Sequence, residues 1–147
     1  MSQERDTRPY PMRRGRVTIS GRTDGTGDFM GAFSVEIGIE SRDRDEWVTL
    51  DALVDTGAFV TSAPTSLLRE LGVEPMRTQD FTFPDGRTRE MEIGQAQVRV
   101  GDREVTTLVL FNDEGSMALL GTLTLEGVFM GVDPVHKRLV PIRAVMA

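Results

Sequence analysis

The sequence predicts a mainly β domain, closed or sandwich-like, with one or two short helices. Three observations point there. Apolar residues fall on every second position in Phe33-Ser34-Val35-Glu36-Ile37-Gly38-Ile39-Glu40, the period of a strand with one face on a core. Short apolar runs are separated by polar, glycine- and proline-bearing turns along the whole chain. Helical signals are confined to two brief segments, one around Ser62 to Leu71 and one at Thr122 to Glu126.

From Met1 to about Gly15 the chain carries Pro9, Pro11 and scattered charge without apolar periodicity, which predicts a flexible basic arm over residues 1–15 and one folded domain over 16–147. Val17 and Ile19 open a short strand, and Gly21 to Asp28 is a glycine-rich turn region. After the strand at Phe33 to Glu40 and a charged turn, a second strand runs from Trp47 to Val54 and ends in Asp55-Thr56-Gly57. A helix is expected next: Ser62 as its cap, Pro64 in its first turn, Leu67, Leu68 and Leu71 on one face, and Gly72 as its stop. Phe81-Thr82-Phe83 and Thr88 to Ile93 flank Pro84-Asp85-Gly86-Arg87, which reads as a hairpin with a polar tip. A further hairpin pairs Ala96 to Val100 with Val105 to Phe111, the latter apolar enough to be buried on both faces. Leu119-Leu120-Gly121 leads into the second helical turn, and Val128 to Val132 with Leu139 to Ile142 close the chain as a last hairpin.

Composition narrows the chemistry. The 147 residues suffice for one well-packed domain, and 39% hydrophobic with 27% charged residues is the balance of a folded globule. No apolar run approaches the roughly 20 residues of a membrane span, and the N-terminus lacks a signal peptide's apolar core, so a cytoplasmic protein without a membrane partner is expected. The absence of cysteine excludes disulfides, thiolate metal sites and a cysteine nucleophile. The single histidine, His136, lies in the charged turn Asp133 to Lys137 without a Gly-x-Ser-x-Gly elbow, and reads as a solvated turn residue rather than a catalytic base. The net charge of -6 argues against nucleic acid. Residues 1–16 are the local exception, with five Arg against Glu4 and Asp6 for a net of +3 and -9 on the rest; a solvated arm is the plainer reading of it.

The informative segment is Leu53-Val54-Asp55-Thr56-Gly57-Ala58. A carboxylate that follows two apolar strand residues and precedes a small hydroxyl residue and a glycine is held on a tight loop at the mouth of a core. Glycine there admits close neighbours and frees its N–H to bond the carboxylate. The tripeptide alone, which occurs often by chance, reads more plainly as a strand-ending turn capped by Asp. Its context adds more. The loop, a helix ending at Leu71-Gly72, a hairpin tipped by Asp85-Gly86-Arg87, and Leu119-Leu120-Gly121 before a short helix resemble the retropepsin-like aspartic proteases in order and spacing over residues 30 to 142.

That resemblance implies a closed or partly open β-barrel of the acid-protease type, with Asp55 as the catalytic carboxylate and no metal or organic cofactor. It gives Thr56, Gly57 and Ala58 the support of the catalytic loop, Thr56 bonding across a dimer axis. Phe83, Asp85 and Gly86 become a flap over a peptide or protein substrate, and Leu119, Leu120 and Gly121 the element beneath the loop. Val54, Phe59, Leu119 and Leu120 are expected in the core. The chemistry needs one carboxylate to take a proton from water and a second carboxyl to donate to the carbonyl, which a lone Asp cannot do. Thr23-Asp24-Gly25 and Pro84-Asp85-Gly86 have the wrong order to supply the second, so it must come from Asp55 of another copy across a twofold axis. Retroviral enzymes generally brace their dimer with an acidic residue and an Arg where this chain has Phe59 and Thr122. A homodimeric endopeptidase is therefore expected to hold together by other contacts, and an inactive dimerisation or peptide-binding module of the same fold is the alternative.

Overall fold

The computed structural model describes residues 32–43 and 45–146. The basic arm, the strand expected at Val17 and Ile19 and the turn at 21–28 lie outside the described residues. Among the described residues, nine strands and two short helices follow in the order β1 (Ser34–Glu40), β2 (Trp47–Val54), β3 (Thr61–Pro64), α1 (Thr65–Glu70), β4 (Arg77–Thr82), β5 (Thr88–Val100), β6 (Arg103–Asn112), β7 (Leu119–Leu120), α2 (Thr122–Gly127), β8 (Met130–Asp133) and β9 (Arg138–Pro141).

The main sheet runs β1-β2-β7-β3-β6-β5-β4, and β1 also pairs with β5 through Ile37–Ile39 against Val98–Val100. That extra pairing closes six strands into a ring and leaves β4 outside it, bonded to β5 alone. Closure removes the sheet edges that an open β layer would expose. The alternation seen in the sequence is the cause of the interior: Ile37 and Ile39 point inward and are fully buried, beside Leu50, Val98, Val109, Leu68 and Leu120. Burying a side chain of this size contributes about 1.5–3 kcal/mol.

Three expectations are corrected here. The segments Thr88 to Ile93 and Ala96 to Val100 are one strand of 13 residues, β5, whose first half pairs with β4 as a projecting hairpin and whose second half pairs with β6 in the barrel wall. Nothing in the local pattern breaks it, because Gly94 stays extended and opposite Val109. Ser62 does not cap α1: it lies in β3, and the helix begins after Pro64 without a side-chain cap from that residue. The N-terminal turn is held from 48 residues away, where Glu114 accepts from Ser66 N–H at 2.8 Å and from Ser66 Oγ at 2.7 Å. Those bonds from Ser66 hold the Glu114 carboxyl below its ordinary pKa. In β6, burial on both faces is limited to Val109, Leu110 and Phe111, since the preceding half is exposed on alternate residues.

His136 sits exposed in the β8–β9 turn, its Nδ1 2.8 Å from Asp133 Oδ2. Arg99, on β5, was not singled out by sequence pattern. Its buried guanidinium lies 4.0 Å from the centre of the Trp47 ring and 2.7 Å from Glu104, so a cation is accommodated in the wall by an aromatic face and a carboxylate together.

Candidate active site

Asp55 follows the last residue of β2. Its backbone N–H donates to Leu120 O at 3.3 Å, and its own carbonyl accepts from Ala58 N–H at 3.0 Å, which folds residues 55–58 into a tight turn. Gly57 N–H donates to Asp55 Oδ1 at 2.9 Å, fixing the half-buried carboxylate on the loop. A Cβ on Gly57 would stand 3.2 Å from that same oxygen, so the smallest residue leaves the carboxylate its position. Thr56 and Gly57 themselves are exposed, and Phe59, two residues on, is 63% exposed.

The loop is carried on backbone bonds from below. β2 and β7 are parallel neighbours with Leu53 opposite Leu119 and Val54 opposite Leu120. The first turn of α2 then donates Thr122 N–H to Ala58 O and Leu123 N–H to Phe59 O, both at 3.0 Å. Beneath lies a buried hydroxyl chain that the sequence reading missed. Thr61 Oγ1 accepts from Gly121 N–H at 3.0 Å and meets Thr124 Oγ1 at 2.7 Å, and Thr124 Oγ1 meets Thr107 Oγ1 at 3.1 Å. Three threonines dispersed over 63 positions give no local signal; only the fold brings them together. Thr124→Val is expected to lower stability by about 1–3 kcal/mol, because the partner hydroxyls stay buried after their hub is gone. An unchanged denaturant midpoint would show the chain of hydroxyls to be incidental.

A cavity of about 280 Å³ opens beside Asp55. Gly57, Ala58, Phe59 and Leu119 form the loop side of it, Ser62, Leu110 and Asn112 the floor, and Phe81, Phe83 and Pro84 of the projecting hairpin its roof. Of the residues expected at the site, Asp55, Gly57, Ala58, Phe83 and Leu119 thus meet at one cavity, whereas Thr56, Asp85, Gly86, Leu120 and Gly121 do not line it. Asp85 instead shapes the hairpin tip, accepting from Arg87 N–H at 2.9 Å and pairing with Arg87 Nε at 3.0 Å. Val54 and Leu120 lie in the core as expected, but Phe59 and Leu119 do not. The reason for Leu119 is the strand period: consecutive residues on β7 leave on opposite faces, so with Leu120 inward Leu119 must face the cavity.

The roof is tied to the body by Arg89, on β5. Its guanidinium makes a two-pronged pair with Asp113, at 2.9 and 3.0 Å, and stands 5.7 Å from the centre of the Phe83 ring. The bonds from Arg89 hold the Asp113 carboxyl below its ordinary value of 3.8, and the pair raises the Arg89 pKa. A depressed carboxylate pKa means that the tie is complete above pH 3.8 and is lost as pH falls through the lowered value. In Arg89→Gln the Asp113 midpoint is expected to return upward to the ordinary range and the Phe83 amide, bonded to Arg87 O, to exchange faster. Carboxyl-carbon NMR titration with hydrogen exchange reads both; an Asp113 midpoint the same in both proteins would mean that the pair does not form in solution.

Among the described residues no cluster of three or more His, Cys, Asp or Glu is placed to hold a metal ion, and no helix is long and apolar enough to cross a membrane.

A ring-closed barrel with two short helices, an Asp-Thr-Gly loop over a Leu-Leu-Gly element and a hairpin roof is the architecture of the retropepsin-like aspartic proteases. The chain belongs to the family described as "gag-polyprotein putative aspartyl protease", which matches residues 46–126. Its fold is similar to that of EIAV protease, at 20% identity over 69% of this chain and 91% of that one, with a TM-score of 0.50. It also matches the simian foamy virus (mac) protease, at 21% identity, 64% and 92% coverage and a TM-score of 0.47. A retropepsin-like aspartic protease from Rickettsia conorii matches at 21% identity, 69% and 87% coverage and a TM-score of 0.44. No curated protein matches the chain.

Proposed function

We propose that this chain is one subunit of a homodimeric aspartic endopeptidase, in which Asp55 of each copy contributes to one shared carboxylate pair. The observation that carries the reading is the placement of Asp55: fixed by Gly57 N–H, on an exposed loop, at the mouth of a cavity roofed by a hairpin. One ionised Asp of the pair takes a proton from water as it attacks the peptide carbonyl, and the protonated one donates to the carbonyl oxygen. A twofold axis beside the loop supplies both from one sequence. The exposed Thr56 and Phe59 flank that axis in this arrangement, with Phe59 providing apolar contact where retroviral enzymes use charge. The substrate is an extended peptide in the cavity under the β4–β5 hairpin. The basic arm at 1–15 is an appendage to a catalytic domain that begins near residue 16, and the enzyme works without a cofactor in the cytoplasm.

Phe59 and Thr122 in place of the bracing ion pair favour one second reading, an inactive dimerisation or peptide-binding module. Sedimentation together with cleavage of an unbiased peptide mixture separates the two. The endopeptidase reading expects a dimer at micromolar concentration and cleavage that requires Asp55. A dimer that binds but cleaves nothing selects the module, and a strict monomer with no cleavage removes both.

A further inference from the structure

The cavity beside Asp55 is walled mostly by apolar groups, and one buried polar atom at its floor has nothing to bond. Ser62 is 1% exposed, and its Oγ has no hydrogen-bond partner. Its neighbour in sequence is the opposite case, since Thr61 Oγ1 is bonded to both Gly121 N–H and Thr124 Oγ1. Successive strand residues leave on opposite faces, so Thr61 enters the hydroxyl chain under the loop and Ser62 faces the cavity. Its register fixes where. Ser62 stands opposite Leu110 on β6 and opposite Leu119 on β7, which places its hydroxyl between two leucines of the floor, beneath the side that Phe81 and Phe83 cover. A buried hydroxyl without a partner is less stable there than alanine would be. The atom has almost no accessible surface beneath the hairpin roof, so a substrate group reaches it as the ligand displaces Phe81 and Phe83.

We propose that Ser62 is a specificity-determining residue, and that this cavity selects a substrate side chain carrying a neutral hydrogen-bonding group, an amide or a hydroxyl, which bonds Ser62 Oγ. The inference rests on the endopeptidase reading above and names its substrate class. An anionic side chain is disfavoured, because Phe81, Phe83, Leu110 and Leu119 would strip its water and the Asp55 carboxylate on the same cavity would repel it. An aliphatic side chain fills the same space but seals the hydroxyl away unpaired. At about 280 Å³ the cavity is at the small end of ligand sites, suited to one or two side chains. One neutral hydrogen bond, lost with its partner left buried, corresponds to roughly five- to thirtyfold in kcat/KM.

The test uses the full chain as wild type, Ser62→Ala, Ser62→Thr and Asp55→Asn. Cleavage of a peptide mixture, read by mass spectrometry, locates the responsive subsite; matched peptides then differ there by Thr against Val and Asn against Leu. Wild type is expected to prefer Thr and Asn by roughly five- to thirtyfold, Ser62→Ala to bring both ratios within about twofold of unity, and Ser62→Thr to retain the preference. Asp55-dependent cleavage with the same ratios in wild type and Ser62→Ala overturns the inference and leaves the endopeptidase reading intact. So does a preference lost equally in Ser62→Thr, because packing rather than the hydroxyl would then set it. Absence of Asp55-dependent cleavage defeats the endopeptidase reading instead, and Ser62 is then judged by binding. Fluorescence anisotropy of the same peptides on Asp55→Asn, with and without Ser62→Ala, upholds it if the Thr preference disappears with the hydroxyl, and overturns it if binding is equal or nil.

Discussion

Asp55→Asn is expected to abolish peptide cleavage, with kcat/KM down by at least about a thousandfold, while the protein keeps its fold and its thermal midpoint. The fold is expected to survive because the hydrogen bond that holds the carboxylate, from Gly57 N–H to Oδ1 at 2.9 Å, can be accepted equally by a carboxamide oxygen. The loop is otherwise held by backbone groups, Asp55 N–H to Leu120 O and Ala58 N–H to Asp55 O, which the substitution does not touch. Catalysis is lost because a carboxamide neither takes the proton of the attacking water nor shares one with its twin. In a homodimer the single change alters both members of the pair at once. Wild type should show a bell-shaped pH profile with its optimum below neutrality, since activity requires one proton on the pair and fails with none or two. Undiminished cleavage by Asp55→Asn would refute the assignment of Asp55.

The second large effect is expected at Gly121, where Gly121→Ala should cost about 3 kcal/mol or more of folding stability. A Cβ there would lie 2.5 Å from Val60 C, 2.7 Å from Val60 O and 2.8 Å from Phe59 O. All three obstacles are backbone atoms, so no side chain can swing aside; the loop that carries Phe59 and Val60 into β3 must move. Phe59 and Ala58 carbonyls accept from Leu123 and Thr122, and Gly121 N–H donates to Thr61 Oγ1, so displacement breaks several of these bonds together. Stability and activity should fall together, since this contact seats the loop that carries Asp55. Chemical denaturation measures the first; a midpoint within error of wild type would mean that the loop and the Gly121 turn are not packed so closely.

The alternation in Phe33 to Glu40 was enough to predict which residues of β1 reach the core, because a strand's two faces follow from local geometry alone. The same holds for Asp55-Thr56-Gly57 as a tight loop after an apolar strand: the bond from Gly57 N–H spans two residues and needs nothing distant. Resemblance in the order of loop, hairpin and Leu119-Leu120-Gly121 supplied the barrel, which residue pattern alone left open between barrel and sandwich.

What lay beyond reach of local reading has a common cause, long separation along the chain. Ser62 reads locally as a helix cap, a role short-range chemistry favours, yet pairing of β3 with β6 and β7 makes it part of a cavity floor. Glu114 takes over the helix terminus from the far side of β6. Thr61, Thr107 and Thr124 look like ordinary polar positions until the ring closes and gives each a partner. The sequence by itself determined the periodicity, the turns and the carboxylate loop, since these depend on neighbours within a few residues. Only the tertiary structure decided which side chains surround that carboxylate, because strand register, set by the closing of the β1–β5 seam and the parallel seating of β7 on β2, is a property of residues far apart in sequence.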